Sequence, residues 1–162
     1  MDLAIISDEF LLGTQVTTSE DLSLLRKLGV QGLLNLQDES DFRNLGLRWE
    51  VLQTLGRENA IDMRRVPIRD FDPADLLKKM ETALLELDDL FTECKRVYVH
   101  CTAGINRSAG ILLAYLVLRR GFSPDTAYHL LRSRRPQISP YRALIDELSN
   151  QHRKRFLNST KD

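Results

Sequence analysis

The chain has 162 residues, 43% hydrophobic and 28% charged, with 23 Lys and Arg against 23 Asp and Glu, which suits one domain with a sizeable core. Balanced charge gives no global field for nucleic acid or an acidic membrane. The longest apolar run, residues 109–118, is too short for a membrane span, and two cysteines are too few for a disulfide framework.

The opening Met-Asp-Leu-Ala-Ile-Ile-Ser-Asp-Glu lacks the basic segment and long apolar run of a signal peptide. With residues 95–100 extended, Cys94 and Cys101 stand roughly 20 Å apart at ~3.3 Å per residue, beyond disulfide reach. A reducing compartment is expected: the cytoplasm, or an organelle stroma if a transit peptide has been removed. One domain is expected over residues 1–157, working as a monomer, with 158–162 as a disordered tail.

Residues 4–6 and 10–12, separated by Ser-Asp-Glu, predict a short hairpin. Thr18-Ser-Glu-Asp starts a helix running to Leu28, with Gly29 just past its end. Residues 30–36 form an apolar run suited to a buried strand, whereas residues 37–45 read as polar and irregular. A helix is expected over 47–56 and a strand over 64–68. Pro73 suits a first helical position, and Leu76, Leu77, Met80, Leu84, Leu87 and Phe91 continue at helical spacing.

Residues 97–100 are short and rich in valine, as a central parallel strand would be. From Arg107 to Leu118 the chain is apolar nearly all round, so this helix is expected inside the domain. Ser123-Pro124-Asp125 caps another helix to about Ser133, and Pro140 opens a last one. Strands alternating with helices predict an α/β fold: a single compact domain whose mainly parallel, twisted central sheet is flanked by helices.

Between that strand and that helix the chain reads His100-Cys101-Thr102-Ala103-Gly104-Ile105-Asn106-Arg107-Ser108. A helix N-terminus carries unpaired N–H groups and a partial positive charge, so it stabilises an anion. The backbone N–H groups of Thr102, Ala103, Gly104, Ile105, Asn106 and Arg107 can curl into a nest around three phosphate oxygens. Gly104 relieves the steric limit on that curl, and Arg107 offers a planar fork to two oxygens. The same field favours the thiolate of Cys101, the nucleophilic form. Ser108 is placed to donate to the sulfur when phosphate departs. His100 either orients the cysteine by bonding loop carbonyls or serves a purely structural role.

Ester cleavage also needs a proton donor for the leaving oxygen and a base for water. Asp70, Asp72 and Asp75 lie after the 64–68 strand, on a loop that parallel topology exposes at the same sheet edge. Asp70 leads as the acid, with Phe71 beside it to line the pocket rim. Asp72 precedes Pro73 and suits an N-cap, yet it competes for the acid role. Arg64, Arg65 and Arg69 read as a solvated basic rim.

The run from His100 to Ser108 resembles the signature loop of the cysteine-dependent protein tyrosine phosphatase superfamily. The small size and the acid loop upstream of the cysteine resemble its dual-specificity branch. That resemblance implies Cys101 as nucleophile, Arg107 as phosphate clamp, Asp70 as general acid and Ser108 as promoter of phosphoenzyme hydrolysis, with no metal or cofactor. Leu34-Asn-Leu-Gln-Asp-Glu-Ser-Asp, the stretch from Ile68 to Leu76 and Cys-Thr-Ala-Gly are similar, more narrowly, to the phosphatase domains of plant starch phosphatases, relatives of laforin. Departures from that narrower group are Asn106 for a second glycine, Ser108 for alanine, Asn44 and Leu45 for channel aromatics, and Asn35 for a cysteine able to pair with the nucleophile.

The leading expectation is therefore a phosphatase of phosphotyrosine and phosphoserine or phosphothreonine. The alternative is the same chemistry on a phosphorylated glucan, an inositol phosphate or another metabolite. A silent phosphate-binding module would not need the full set of Cys101, Arg107 and an acid, and a rhodanese-type sulfur carrier would leave Asp70 and Ser108 idle.

Overall fold

The hairpin comes first: β1 (Leu3–Ile5) and β2 (Phe10–Gly13) pair antiparallel, with Leu3 opposite Gly13. This computed structural model describes the backbone of residues 1–159 and the side chains of residues 1–151. Helix α1 (Ser19–Lys27) is capped at Thr18, whose side chain accepts from the Asp21 N–H while the Asp21 carboxylate accepts from the Thr18 N–H. Gly29, just past its C-cap Leu28, takes φ 82°. The next strand, β3 (Gly32–Asn35), occupies the middle of the expected apolar run.

Residues 37–45, expected to be irregular, instead hold helix α2 (Glu39–Leu45). Asp38 accepts from the Ser40 and Asp41 N–H groups, and the Asp41 carboxylate accepts from the Asp38 N–H, forming a capping box. Gly46, at φ 65°, closes the helix. Phe42 is the one buried residue of α2, so no hydrophobic period marks it in the sequence.

Helix α3 (Trp49–Glu58) sits two residues later than expected, and β4 (Asp62–Arg65) starts two residues and ends three residues earlier than expected. Pro67 lacks an N–H and interrupts the ladder. The Val66 and Ile68 N–H groups on either side still donate to Asn35 and Leu36 carbonyls at 2.9 and 3.2 Å. Helix α4 (Pro73–Glu93) starts at its proline, with Asp72 as N-cap. It leads to β5 (Val97–His100), α5 (Arg107–Leu118) and α6 (Pro124–Arg134). Helix α7 (Arg142–Ser159) follows a turn at Pro140 instead of starting there. The rest of the tail expected at 158–162 lies outside the described residues. No helix among the described residues is long and apolar enough to cross a membrane.

The five strands run in the order β1-β2-β5-β3-β4, and all pairs except the hairpin are parallel. Side chains alternate across the sheet, and both faces are covered. Leu12, Leu34, Val97 and Val99 meet the core built by α4, α5 and α6, while Leu11, Leu33 and Tyr98 meet the core built by α1 and α3. Helix α5 is buried along eleven of its twelve residues. The register places Gly13, His100, Asn35 and Arg65 side by side at the carboxyl ends of four parallel strands. At this edge of an α/β sheet, loops converge into a ligand crevice.

Candidate active site

The loop between β5 and α5 is held from outside by its carbonyls. That of Cys101 meets His100 Nδ1 at 3.0 Å, and that of Thr102 accepts from the Gln15 N–H at 3.0 Å. Arg135 donates to the Ala103 and Gly104 carbonyls at 3.2 and 2.8 Å, and the Ser139 N–H donates to Ile105 at 2.9 Å. Across a planar trans peptide the next N–H points the opposite way. Carbonyls anchored outward therefore turn the amides of residues 102–106 toward the inside of the loop, where no protein acceptor among the described residues takes them. Asn106 leaves the α5 N-terminus without a side-chain cap, since its Nδ2 donates instead to the Ser139 carbonyl at 2.8 Å. Uncapped amides and the helix dipole together make an anion site.

Gly104 is fixed by contact as well as by torsion. Its φ is 66°, and a Cβ there would lie 2.4 Å from the Gly13 carbonyl group. The loop thus rests directly on the end of β2. Arg135, 2% exposed and paired with Asp2 at 3.0 Å, is its other support. No local pattern in the sequence marks this role, because Arg135 stands outside the loop it braces.

Cys101 is buried, with Sγ 3.3 Å from the Ser108 Oγ. Cys94 is buried too, and both cysteines are free. His100 is fully buried against Tyr98, their ring centroids 5.4 Å apart. Because a carbonyl can only accept, His100 Nδ1 carries the proton that meets the Cys101 carbonyl, and the buried Nε2 has no partner among the described residues. Burial, opposed by the Cys101 carbonyl, lowers its pKa from 6.5 to about 4.

A histidine with a lowered folded pKa binds its proton first in the unfolded chain, so stability falls as pH drops from about 6.5 toward about 4. Between pH 7 and 4.5 this group should remove about 2 kcal/mol, at 1.36 kcal/mol per pKa unit. Urea unfolding at both pH values is expected to show a smaller acid loss for His100→Gln than for the wild type. Equal losses would mean that His100 is not the buried neutral group described.

Arg107 is 1% exposed at the foot of α5. Its Nη1 donates to Asp41 Oδ2 at 2.6 Å and to the Ile68 carbonyl at 2.9 Å, and its Nη2 donates to Asp70 Oδ2 at 3.0 Å. Burial opposes its charge, yet Asp41, the Cys101 sulfur and Asp70 raise its pKa. Asp70, on the loop before α4, and Arg107, 37 residues later at the start of α5, therefore meet at one point. Asp70 also accepts from the Phe71 N–H at 3.0 Å. Phe71 is 84% exposed with φ 54°, a left-handed backbone held open at the rim.

Asp72 caps α4 through the Asp75 N–H at 2.9 Å and pairs with Arg69 at 3.2 Å. Asp75 accepts from the Arg69 N–H at 2.7 Å and from Lys79 at 2.8 Å, and Lys79 also donates to the Pro67 carbonyl. The acid loop is thus tied to the first turn of α4. Arg65, expected on a solvated rim, is instead laid over the Phe42 ring at 4.3 Å and bound to the Gln37 carbonyl and to Glu39. Arg64 and Arg69 do lie at the surface, paired with Asp62 and Asp72.

Two site residues, Asp41 and Gln37, had no role in the sequence reading, and Asn35 entered it only as a replacement for a cysteine. Asp41 also accepts from the Thr102 hydroxyl at 2.7 Å, which in turn accepts from Gln37 Nε2 at 3.1 Å. Gln37 is held by Asn35 through bonds of 2.7 and 3.2 Å. Although burial alone works against ionisation, Arg107 and Thr102 hold the Asp41 carboxyl below the usual carboxylate range. The Asp38-x-x-Asp41 spacing was the available signal, since it marks the helix that delivers the carboxylate. No cluster of three His, Cys, Asp or Glu side chains able to hold a metal ion occurs among the described residues.

Comparison with known proteins gives one family model over residues 11–154, described as dual specificity phosphatase, catalytic domain. The amyloplastic phosphoglucan phosphatase DSP4 of Castanea sativa is 29% identical over 160 residues, covering 96% of this chain and 43% of its own length. Dual specificity protein phosphatase 4 of Gallus gallus is 32% identical over 125 residues, 77% of this chain and 30% of that protein. The chain thus spans less than half the length of these curated relatives. Tk-PTP in its active form shares the fold with a TM-score of 0.73 at 17% identity, over 92% of this chain and 96% of that one.

Proposed function

The chain belongs to the dual specificity phosphatase catalytic-domain family, and on that premise we propose that it is a phosphomonoester hydrolase working through a cysteinyl-phosphate on Cys101. The observation that supports the reading is the 3.0 Å contact between Asp70 and Arg107, which brings a carboxyl group, the candidate acid, to the anion loop that carries Cys101. The Cys101 thiolate attacks phosphorus and the P–O bond to the leaving group breaks. Asp70 gives its proton to the departing oxygen. The Asp70 carboxylate then takes a proton from water, the hydroxyl attacks phosphorus and the S–P bond breaks. Ser108, 3.3 Å from the sulfur, stabilises the departing thiolate with a hydrogen bond. The loop amides of Thr102, Ala103, Gly104, Ile105, Asn106 and Arg107, with the Arg107 fork, meet the charge of the phosphoryl oxygens as it shifts. The scheme asks for no metal ion and no cofactor.

Phosphoprotein residues are the leading substrate class, with the domain acting as a monomer in the cytoplasm. A second reading, the same steps on a phosphorylated glucan, is favoured by the Castanea relative that aligns over 96% of this chain. The test is one assay of phosphate release in excess chelator, run side by side on phosphotyrosyl and phosphothreonyl peptides, phosphorylated amylopectin and inositol phosphates. Turnover of both peptide types above the other substrates is expected. Preference for amylopectin would move the substrate to glucan. Activity that vanishes with chelator would overturn the metal-free scheme, and phosphate binding without release would mark a silent module.

A further inference from the structure

Among the described residues, Asp70 has one side-chain partner outside its own loop, the Arg107 guanidinium at 3.0 Å. Its other bond is local, from the N–H of the adjacent Phe71. The guanidinium also has to serve the phosphate, so it cannot by itself fix the acid in a loaded site. The backbone of residues 67–72 must then do so. Phe71, at φ 54° and 84% exposed, gives that turn little packing, and a left-handed residue other than glycine persists only where its surroundings hold it.

The hold comes from α4. Pro67 has no N–H, so only its carbonyl can be tied down. Lys79 donates to that carbonyl and to Asp75 Oδ2, the latter at 2.8 Å. The same Asp75 oxygen accepts from the Arg69 N–H at 2.7 Å. Downstream, the Asp75 N–H is bound to Asp72 at 2.9 Å. An Asp and a Lys four residues apart ordinarily steady only their own helix. Here each partner spends a second bond on the backbone of the preceding loop, one on either side of the buried Ile68. Burial works against ionisation of Asp75, yet the Arg69 N–H and Lys79 hold its carboxyl below the usual carboxylate range. Asp75 is 13% exposed, a sheltered place for a charge on the first turn of a surface helix.

We propose that Asp75 and Lys79 are positioning residues for the acid: anchored on α4, they hold the backbone at Pro67 and Arg69 so that Asp70 stays aimed at the leaving oxygen when substrate is bound. The inference rests on the phosphomonoesterase reading with Asp70 as acid, and adds what keeps that acid in place.

Two measurements test it in the full chain. The first needs no turnover and follows amide hydrogen exchange by 15N–1H NMR. The Arg69 N–H is expected to be protected in the wild type and to exchange severalfold faster in Lys79→Met, with the amides of β5 and α5 unchanged. An Arg69 amide unprotected in the wild type would overturn the proposal, whether or not any variant folds. The second compares kcat/KM, which covers the steps through P–O cleavage, on a phosphothreonyl peptide and on nitrophenyl phosphate. Lys79→Met is expected to lose about tenfold to a hundredfold on the peptide, the scale of an ångström-sized misplacement. On nitrophenyl phosphate the loss should stay within about twofold, inside the scatter of non-interacting sites. In an Asp70→Ala background the same substitution should cost nothing further on either ester. Equal effects on the two esters, or a peptide loss that persists without Asp70, would overturn the proposal, because the pair would then act on something other than the acid. Failure of the acid reading is a separate result: Asp70→Ala alone would then show no leaving-group dependence, while the Arg69 amide still decides whether the pair holds the loop.

Discussion

Replacing Cys101 by serine is expected to abolish phosphate release while leaving inorganic phosphate bound. The reason lies in how the site is built. The loop's shape is set by bonds to its carbonyls from His100, Gln15, Arg135 and Ser139, and by the seat of Gly104 on Gly13. None of these involves the sulfur. The fork of Arg107 is likewise fixed by Asp41 and the Ile68 carbonyl. A serine hydroxyl is smaller and far less ionised than a thiol, so it fits the space beside Ser108 but supplies no nucleophile. Loss of a covalent nucleophile costs on the order of a millionfold in kcat where it has been measured in hydrolases. The check is hydrolysis of an aryl phosphate set against phosphate binding by calorimetry. Substantial residual hydrolysis would remove the covalent mechanism. Loss of binding alongside turnover would mean that the sulfur helps to build the site.

The parts of this site that could be read from the sequence are those whose function and fold share one short segment. Cys101 to Ser108 carry the anion loop, and the valine-rich strand before it and the apolar helix after it are equally visible. The cap at Thr18, the glycine at 29 and the proline at 73 each announce a helix boundary by local chemistry, and the structure uses all three. What stayed hidden acts across the sheet. Asp41 sits 66 residues from Arg107 on a helix with one buried side chain, so neither period nor proximity pointed to it. Arg135 braces a loop 31 residues away. Arg65 looked like a surface charge because its type is usually exposed, and only the fold reveals the Phe42 ring beneath it. The shift of β4 has a smaller cause: Pro67 is compatible with an extended chain but not with a continuous ladder.

Asp70→Ala should produce the second large loss, and its size should depend on the leaving group. A poor leaving group, such as the serine or threonine oxygen of a peptide, must be protonated as it departs. Removing the donor there is expected to lower kcat by about a hundredfold to ten-thousandfold, the usual contribution of general acid catalysis. A nitrophenolate leaves readily without a proton, so on that substrate the first step should suffer far less. Oxyanion binding should hold or tighten, because Asp70 Oδ2 now competes at 3.0 Å for the same Arg107 nitrogen that the phosphate needs.

Asp72 provides the internal control. It accepts the Asp75 N–H as the N-cap of α4 and pairs with an exposed Arg69. Asp72→Ala is therefore expected to cost about 1 kcal/mol of stability, the usual loss for a cap, with nearly equal rate effects on good and poor leaving groups. Kinetics of both variants on a nitrophenyl phosphate and a phosphothreonyl peptide, with unfolding curves for each, separate the two roles. If leaving-group dependence follows Asp72 and not Asp70, the proton comes from the cap position. The 3.0 Å contact with Arg107 would then mark Asp70 as a neutralising partner of the arginine instead of the acid.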